Sequence, residues 1–323
     1  MKIRPATLDD TETRVQLHNT SRPDNQITLE LALHNESIRK KELVFQRFAA
    51  EVDRKIIAFA FYSQTEWMFH PQKFDLNILV HPEYRRQGIG TALYNTLIEN
   101  LQAYKPIKFI AFAREDWHDS VSFAEKRGFE VTFREWESRL NMATFDASRF
   151  AGYIEKVEAL GYTLCSLAEL EHDKDAFRKA YELDLETSQD APLSPGESFT
   201  FPTFERWLET TQSNPDFQSK SWFIAVTPDG EVAGISMLFK RSADNDLDTG
   251  FTGVRRDHRR KGIALALKLK ALEYARSYGA PVVRTFNAQN NQKMLPINEM
   301  LGFEKQPAWL EYAKRLKIED SNF

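Results

Sequence analysis

The apolar positions in the first half of the chain follow two different periods. Short apolar or alternating runs bounded by charged and turn residues are typical of strands, and they lie at 48–52, 56–62, 76–80 and 108–113. Between the last two runs, apolar residues recur at every fourth position, as on the buried face of a helix, at Ile89, Leu93, Leu97 and Leu101. The pattern therefore predicts a hairpin, a third strand, a helix, a fourth strand and a short helix that ends at Gly128.

The second half of the chain repeats this order of elements. Its predicted strands lie at 222–226, 232–239, 250–254 and 282–286. The helix between the last two carries Ile263, Leu267 and Ala271 on one face, and Gly279 is its predicted C-cap. A final short helix ends at Gly302. The same succession of elements in both halves is typical of an internal repeat.

A constant spacing relates the two halves. The offset from Gly88 to Gly262 is 262 − 88 = 174. The Gly-Phe pairs at 128–129 and 302–303 have the same offset, 302 − 128 = 174. Because several landmarks share one offset, we expect the chain to contain two copies of one module.

The connection between the modules is predicted from its cap residues. A strand at 138–142 would close the first module, and a helix at 146–160 would begin at Asp146 and stop at Gly161. The second copy carries extra, proline-rich residues at 188–203, which predict a loop, either a surface excursion or a lid beside a site. The predicted domains are 1–145 for the first module, 146–161 for the connecting helix and 162–323 for the second module.

The composition limits the class of protein. The 323 residues suffice for about two domains, 42% of them are apolar, and the net charge of −4 with a pI near 6.0 argues against a nucleic-acid partner. Because Cys165 is the only cysteine, neither an intrachain disulfide nor a thiolate metal cage is expected, and the histidines show no metal-ligand spacing. The sequence shows neither the roughly 18 apolar residues of a membrane helix nor a secretory signal, so we expect a cytoplasmic protein without a membrane partner.

The candidate chemistry lies at the glycine turn between the third strand and the helix of each module. Residues 85–90 read Arg-Arg-Gln-Gly-Ile-Gly, and residues 259–264 read Arg-Arg-Lys-Gly-Ile-Ala. A helix start offers backbone N–H groups without partners, glycine lets an anion approach them, and the flanking cations add positive charge. Such a turn suits a pyrophosphate, whereas the sequence signatures of a nucleoside-triphosphate loop and of a dinucleotide-binding turn are absent.

These two turns resemble the acyl-CoA-binding motif Gln/Arg-x-x-Gly-x-Gly/Ala of the GNAT (Gcn5-related) N-acetyltransferases, and the Gly-Phe pairs fit the same family. The resemblance covers nearly the whole chain as a tandem GNAT, with a two-module layout similar to that of mycothiol synthase. It implies an α/β (α+β) fold in which each module has a mixed, mostly antiparallel central sheet flanked by helices. It also implies acetyl-CoA as the cofactor.

The resemblance assigns the cofactor contacts by position. In this family the strand ahead of the motif separates from its neighbour and binds the pantetheine arm, which implies contacts from Leu79, Val80, Gly253 and Val254. The implied pyrophosphate contacts are Arg85, Arg86, Gln87, Gly88, Gly90, Thr91, Arg259, Arg260, Lys261, Gly262, Ala264 and Leu265.

The two copies depart from the family pattern to different extents. The family often has an Asn at the start of the last helix and, seven residues later, a Tyr that protonates the leaving thiolate. These positions hold Asn291 and Asn298 in the second module, but Trp117 and Ala124 in the first. We therefore expect the second module to be the catalyst, with Asn291 at the cofactor and Asn298 in the catalytic site, and the first to be degenerate. On this view Gly262→Val would cost more activity than Gly88→Val.

We expect the missing tyrosine to slow the reaction without abolishing it. A thiol with a pKa near ~8.5 leaves as a thiolate with little help, whereas an alkyl ammonium with a pKa near ~10.4 must first lose a proton. Asp248 is the candidate base, provided that no bulge changes the strand's alternation, although it also fits an exposed loop carboxylate. Asp75 of the first module is a weaker candidate, and a chain of water molecules is a further alternative.

The leading hypothesis is an acetyl-CoA-dependent N-acetyltransferase that transfers the acetyl group directly to the amine of a small molecule, without a covalent acyl-enzyme. A non-catalytic acyl-CoA-binding regulatory protein is the second hypothesis, because both modules lack the tyrosine. Nucleic-acid binding through the basic cluster at 255–261 is a third, which the acidic total disfavours. The sequence identifies neither the acceptor nor the oligomeric state.

Overall fold

The computed structural model describes residues 1–316, and these form two compact units. Unit 1 contains residues 1–134, 194–200 and 309–316, and unit 2 contains residues 135–193 and 201–308. By their contacts the units are thus interrupted along the sequence, and the domain boundaries 1–145, 146–161 and 162–323 stay a prediction, with 317–323 outside the described residues. Each unit includes chain from the other half of the sequence.

The elements follow the predicted order in both halves. The strands are β1 Lys2–Pro5, β2 Phe45–Val52, β3 Lys55–Ser63, β4 Lys73–Val80, β5 Lys108–Arg114, β6 Glu130–Asn141, β7 Thr163–Ser166, β8 Trp222–Val226, β9 Val232–Lys240, β10 Leu247–Val254, β11 Val282–Ala288, β12 Glu304–Lys305 and β13 Trp309–Arg315. The helices are α1 Thr11–Ser21, α2 Leu29–Ser37, α3 Ile89–Leu101, α4 His118–Glu125, α5 Tyr153–Glu158, α6 Ala176–Ser188, α7 Phe204–Ser213, α8 Ile263–Tyr278 and α9 Leu295–Leu301. Within residues 1–316, no helix combines the length and the apolar content that crossing a bilayer requires.

The sheet of unit 1 has the strand order β1-β2-β3-β4-β5-β13, and only its β4–β5 pair is parallel. The ladder between β4 and β5 ends at Asp75 and Ile110, so the two strands separate beyond that point. The four predicted apolar positions of α3 are all buried against the sheet. The sequence pattern thus places α3 over strands whose carboxyl ends diverge.

The sheet of unit 2 has the order β6-β11-β10-β9-β8-β7, and its one parallel pair is β10–β11. That ladder is also short, since only Leu247 and Asp248 of β10 pair with β11. Helix α8 buries the predicted Ile263, Leu267 and Ala271, and Gly279 caps it in the left-handed conformation, as expected. Both sheets are mixed, mostly antiparallel and flanked by helices, which confirms the predicted fold class.

The strand that was expected to close the first module belongs to the other unit. Residues 138–141, expected to close the first module, lie in β6 and pair with β11 of unit 2. Strand β13, from the second half of the sequence, pairs with β5 in unit 1. The alternation of apolar residues specifies a strand and its buried face, whereas the neighbouring strand is set by tertiary contacts that the local pattern does not contain.

The predicted connecting helix is also interrupted. Asp146 acts as an N-cap, because its side chain accepts a hydrogen bond from the backbone N–H of Ser148, but this cap begins only a 3-10 turn at Ala147–Phe150. Gly152 then takes a positive φ of 80°, and α5 starts after it. A left-handed residue breaks the helical ladder, so the predicted single helix consists of two short pieces.

Candidate active site

The first glycine turn has the backbone geometry of an anion-binding nest. A 3-10 turn at Pro82–Tyr84 leads into it, Arg86 and Gly88 take left-handed conformations with φ of 62° and 83°, and α3 begins at Ile89. No side chain caps the start of α3. Turns with left-handed residues ahead of a helix can aim successive N–H groups to one side, and the helix dipole adds positive potential there.

The second glycine turn has nearly the same backbone. Arg260 and Gly262 have φ of 62° and 82°, a 3-10 turn at Arg256–His258 precedes them, and no side chain caps the start of α8. A left-handed arginine is uncommon, since a side chain in that conformation is strained. Its presence at equivalent positions of both turns supports one duplicated design.

Unit 1 has a cleft of about 900 Å³ beside its turn. Its walls come from the diverging ends of β4 and β5, from the turn itself and from α3 and α4. Of the eight cofactor contacts predicted in this module, seven line the cleft: Leu79, Val80, Arg85, Arg86, Gly88, Gly90 and Thr91. The eighth, Gln87, donates its side-chain amide to the Glu83 carbonyl.

Three residues that the sequence analysis did not identify complete the wall near the start of α3. Tyr94 and Phe123 line the cleft, and the Arg127 guanidinium lies 3.4 Å from the centroid of the Phe123 ring. Arg127 also donates a hydrogen bond of 2.7 Å to the hydroxyl of Thr91. Tyr94 lies four residues after Gly90 on the same helix face, so helical spacing could have identified it from the sequence. Arg127 could have been identified by its place directly before the Gly-Phe pair.

A tryptophan between two arginines lies at the other side of the cleft. Trp117, which replaces the family's asparagine, has the guanidinium of Arg22 5.1 Å and that of Arg114 5.3 Å from its ring centroid. Burial lowers the pKa of Arg22, and the nearby charge of Arg85 acts in the same direction. Arg22 and Trp117 both line the cleft, so this wall is cationic and aromatic.

A half-buried carboxyl group lies where β4 and β5 separate. Asp75 is the last residue of β4 that pairs with β5, and the hydroxyl of Thr65 donates a hydrogen bond to it. Burial raises the pKa of Asp75 to about 6, and the carboxylates of Glu311 and Glu197 act in the same direction. A carboxyl with that pKa is ionised at neutral pH and still basic enough to take a proton.

The second turn has different side-chain surroundings. Asp190 accepts hydrogen bonds from Arg256 at 2.7 Å and from Arg259 at 2.5 Å, and these arginines hold the pKa of Asp190 far below its usual range. The ammonium of Lys261 donates to the hydroxyl of Tyr162 at 3.0 Å. Arg256, Arg259 and Lys261 therefore already have hydrogen-bond partners within unit 2.

Two positions beside the second turn, one on β10 and one on α8, are also covered by neighbouring residues. Gly253, an expected pantetheine contact, is so close to Thr187 of α6 that an added Cβ would lie 2.4 Å from its hydroxyl oxygen. Lys268 occupies the position equivalent to Tyr94, since 268 − 94 = 174, and it is buried, with its ammonium 5.4 Å from the Phe303 ring centroid. Burial lowers the pKa of Lys268 to about 8.

The proposed catalytic residues of the second module are each engaged by neighbours. Asp248 forms an ion pair of 3.0 Å with Arg241, and burial raises its pKa. A bulge between Thr249 and Phe251 interrupts the strand alternation that its assignment assumed. Asn298 is buried and donates to the side-chain oxygen of Asn287 at 2.6 Å, leaving its own side-chain oxygen without a partner.

The remaining contact implied for the second module, Asn291, precedes the last helix. Its side-chain oxygen accepts a hydrogen bond from the backbone N–H of Met294 at 3.2 Å, just before α9 starts. Of the other positions implied there, Val254 and Leu265 are buried, whereas Arg260, Gly262 and Ala264 are not. The assignment of these residues to a ligand stays a prediction.

Comparison with protein families matches both modules. The acetyltransferase (GNAT) family model fits residues 12–129 and again residues 177–303. The chain belongs to the GNAT family. The offset between the two matches is 177 − 12 = 165 at their starts and 303 − 129 = 174 at their ends, so the second copy carries extra residues before its glycine turn. The tandem GNAT layout and the acetyltransferase assignment are thereby confirmed.

Solved structures share this tandem GNAT fold. A tandem GNAT protein from the clavulanic acid biosynthesis pathway is 18% identical, with a TM-score of 0.75 and 99% of each chain covered. A GCN5-related N-acetyltransferase from Sphaerobacter thermophilus is 20% identical, with a TM-score of 0.70, over 98% of this chain and 96% of that one. At these identities the likeness concerns the fold alone.

Proposed function

We propose that this tandem GNAT transfers the acetyl group of acetyl-CoA directly to the amine of a small molecule, and that unit 1 binds the cofactor. One observation carries the proposal. The uncapped nest at Gly88 opens onto a cleft of about 900 Å³ that continues between β4 and β5. A cleft of that size suits a long, narrow ligand with a charged end.

The residues of unit 1 fit the cofactor. An added Cβ at Gly88 would meet nothing within 4 Å, so the space beside its Cα is open, and Gly88 itself lines the cleft. Arg85 and Arg86 line the same cleft and would neutralise a pyrophosphate. Beyond Asp75, β4 has no ladder partner on its β5 side, and its backbone groups there are available to the amides of a pantetheine arm.

The protein's part in the reaction is to hold the two reactants and to remove a proton. Acetyl-CoA supplies an activated thioester. Asp75, at the point where β4 and β5 diverge, takes the proton from the acceptor ammonium, so that its nitrogen lone pair attacks the acetyl carbon. Backbone N–H groups of β4 stabilise the charge that develops on the carbonyl oxygen. The C–S bond then breaks, the attacking nitrogen gives up its second proton, and water carries that proton to the leaving thiolate, since neither module has the tyrosine.

The side chains at the two turns support unit 1, rather than unit 2, as the cofactor site. The expectation that unit 2 is the catalyst rests on Asn291 and Asn298 and stays a prediction. The contacts of Asp190 favour unit 1 as the cofactor site, because a pyrophosphate at the second turn would compete with a carboxylate that holds two arginines, whereas Asp119 at the first turn holds Arg86 at 3.1 Å. Exposed ion pairs of this kind are weak individually, so the competition lowers affinity rather than abolishing it.

The test combines calorimetry with a thiol-release assay. Titration of acetyl-CoA should show binding in the micromolar range, and incubation with a panel of primary amines should release free CoA thiol with at least one of them. Binding without turnover for any amine would favour the acyl-CoA-binding regulatory protein instead. Absence of both binding and turnover would remove the proposal.

A further inference from the structure

The insertion of the second copy contributes a segment to unit 1. Residues Ser194–Thr200, here called the strap, belong to unit 1 although α6 and α7 on either side of them belong to unit 2. The backbone N–H of Thr200 donates to the Trp67 carbonyl at 2.7 Å, and the Ser194 hydroxyl donates to the Glu311 carboxylate at 2.6 Å. The insertion is therefore more than a surface excursion, because hydrogen bonds fix it at both ends.

Glu197, in the middle of the strap, binds two lysines. Its carboxylate oxygens lie 2.8 Å from the ammonium of Lys73 and 2.6 Å from that of Lys108. The side chains of Glu197 and Lys108 are only 4% and 7% exposed, so this pair is largely shielded from water. Removing one partner of such a pair leaves a buried charge uncompensated, and its field then acts on neighbouring groups.

These charges surround Asp75. Lys73 lies two residues before it on β4 and shares its face of the strand, and Lys108 lies two residues before its partner Ile110 on β5. Glu311 of β13 and Glu197 of the strap act on Asp75 as like charges, whereas Lys108 acts as an opposite charge. Thr65, on the loop after β3, supplies the hydroxyl that donates to Asp75.

We propose that Glu197 is a positioning residue for Asp75: by neutralising Lys73 and Lys108, it keeps their positive field from Asp75 and leaves that carboxylate able to take the acceptor's proton. This inference rests on the proposed function of unit 1. It makes the strap, encoded in the second half of the chain, a part of the chemistry of the first. Without Glu197, the two ammonium groups would stabilise the ionised form of Asp75 and weaken it as a base.

The direct test measures the proton affinity of Asp75 without any acceptor. Carbon-13 NMR of protein labelled at the aspartate carboxyl carbon follows each titration, and Asp75→Asn identifies the resonance. In Glu197→Gln the midpoint of Asp75 should fall by about one pH unit, and in Lys108→Met it should rise by a similar amount. The double variant should return toward the wild-type midpoint, because the two opposed charges are removed together.

Controls separate charge from loss of structure. Ser194→Ala removes an anchor of the strap without changing its charge, and Glu197→Asp keeps the charge, so both should leave the midpoint near that of the wild type. Once an acceptor is found, the acidic limb of kcat/KM against pH should shift in the same directions as the NMR midpoints.

Failure of this inference differs from failure of the proposed function. If Glu197→Gln leaves the Asp75 midpoint unchanged while calorimetry shows normal acetyl-CoA binding, the positioning role is wrong and the cofactor site stands. If both single variants shift the midpoint in the same direction, the effect is structural and the inference also falls. Loss of acetyl-CoA binding in the wild type would instead count against the proposed function.

Discussion

The two glycine turns share a backbone and differ in the side chains that face them. Arg86 and Arg260 have the same φ of 62°, and the glycines two residues later agree within a degree. At the first turn the exposed carboxylate of Asp119 pairs with Arg86 alone, whereas at the second turn Asp190 holds two arginines. The two turns thus keep one backbone geometry while the charged side chains around them differ.

The largest change in activity is expected when the candidate base of unit 1 is replaced and compared with that of unit 2. Asp75→Asn should lower kcat about 10²- to 10⁴-fold, because the group that accepts the proton is lost, and acetyl-CoA affinity should stay within about twofold. Asp248→Asn should cost far less, since Arg241 already holds that carboxylate. Steady-state kinetics with one accepted amine measures both. A greater loss in Asp248→Asn would move the chemistry to unit 2.

The next largest effect is expected on acetyl-CoA affinity, when the equivalent glycines of the two turns are replaced. Gly88→Val and Gly262→Val place a side chain at the same positive φ, so their backbone strain is equal and each controls for the other. We expect Gly88→Val to weaken acetyl-CoA binding roughly 30- to 100-fold, as for the loss of one or two charge-assisted hydrogen bonds. Calorimetry and thermal unfolding of both variants check this. The sequence alone predicts the opposite ranking, and a larger loss in Gly262→Val would restore it.

The smallest effect concerns the carboxylate at the second turn. Asp190→Asn removes the partner of Arg256 and Arg259 and should increase the affinity of unit 2 for a pyrophosphate-bearing ligand several-fold, the size expected for exposed charges. The measurement is the stoichiometry of CoA binding in Gly88→Val, with and without Asp190→Asn, at low and high salt. An unchanged stoichiometry and affinity would mean that Asp190 does not control the second turn.

The local pattern of the sequence was enough to predict the order of the elements and most of the residues that meet at the first turn's cleft. The four-residue period of α3 and the Arg-Arg-x-Gly turn are local properties, and local rules such as helix periodicity and glycine's freedom at positive φ determine them. That is why seven of eight predicted residues line one cleft. Tyr94 and Arg127 join the same wall by helical spacing that the motif alone does not include.

Strand neighbours and ion pairs between residues far apart in the sequence could not be predicted from its local pattern. Nothing in the alternation of β13 specifies β5 as its neighbour, and nothing in the loop around Glu197 indicates that it binds two lysines from distant parts of the first half. Asp190 likewise reads as an ordinary loop acid until its distance to Arg259 is known. Such pairings depend on tertiary contacts that only the folded chain reveals.

The inserted stretch at 188–203 supplies charged groups to both units. Asp190, which binds two arginines at the second glycine turn, and Glu197, which binds Lys73 and Lys108, both belong to this single short stretch. Removing the stretch would therefore leave cations without their carboxylate partners in both units at once.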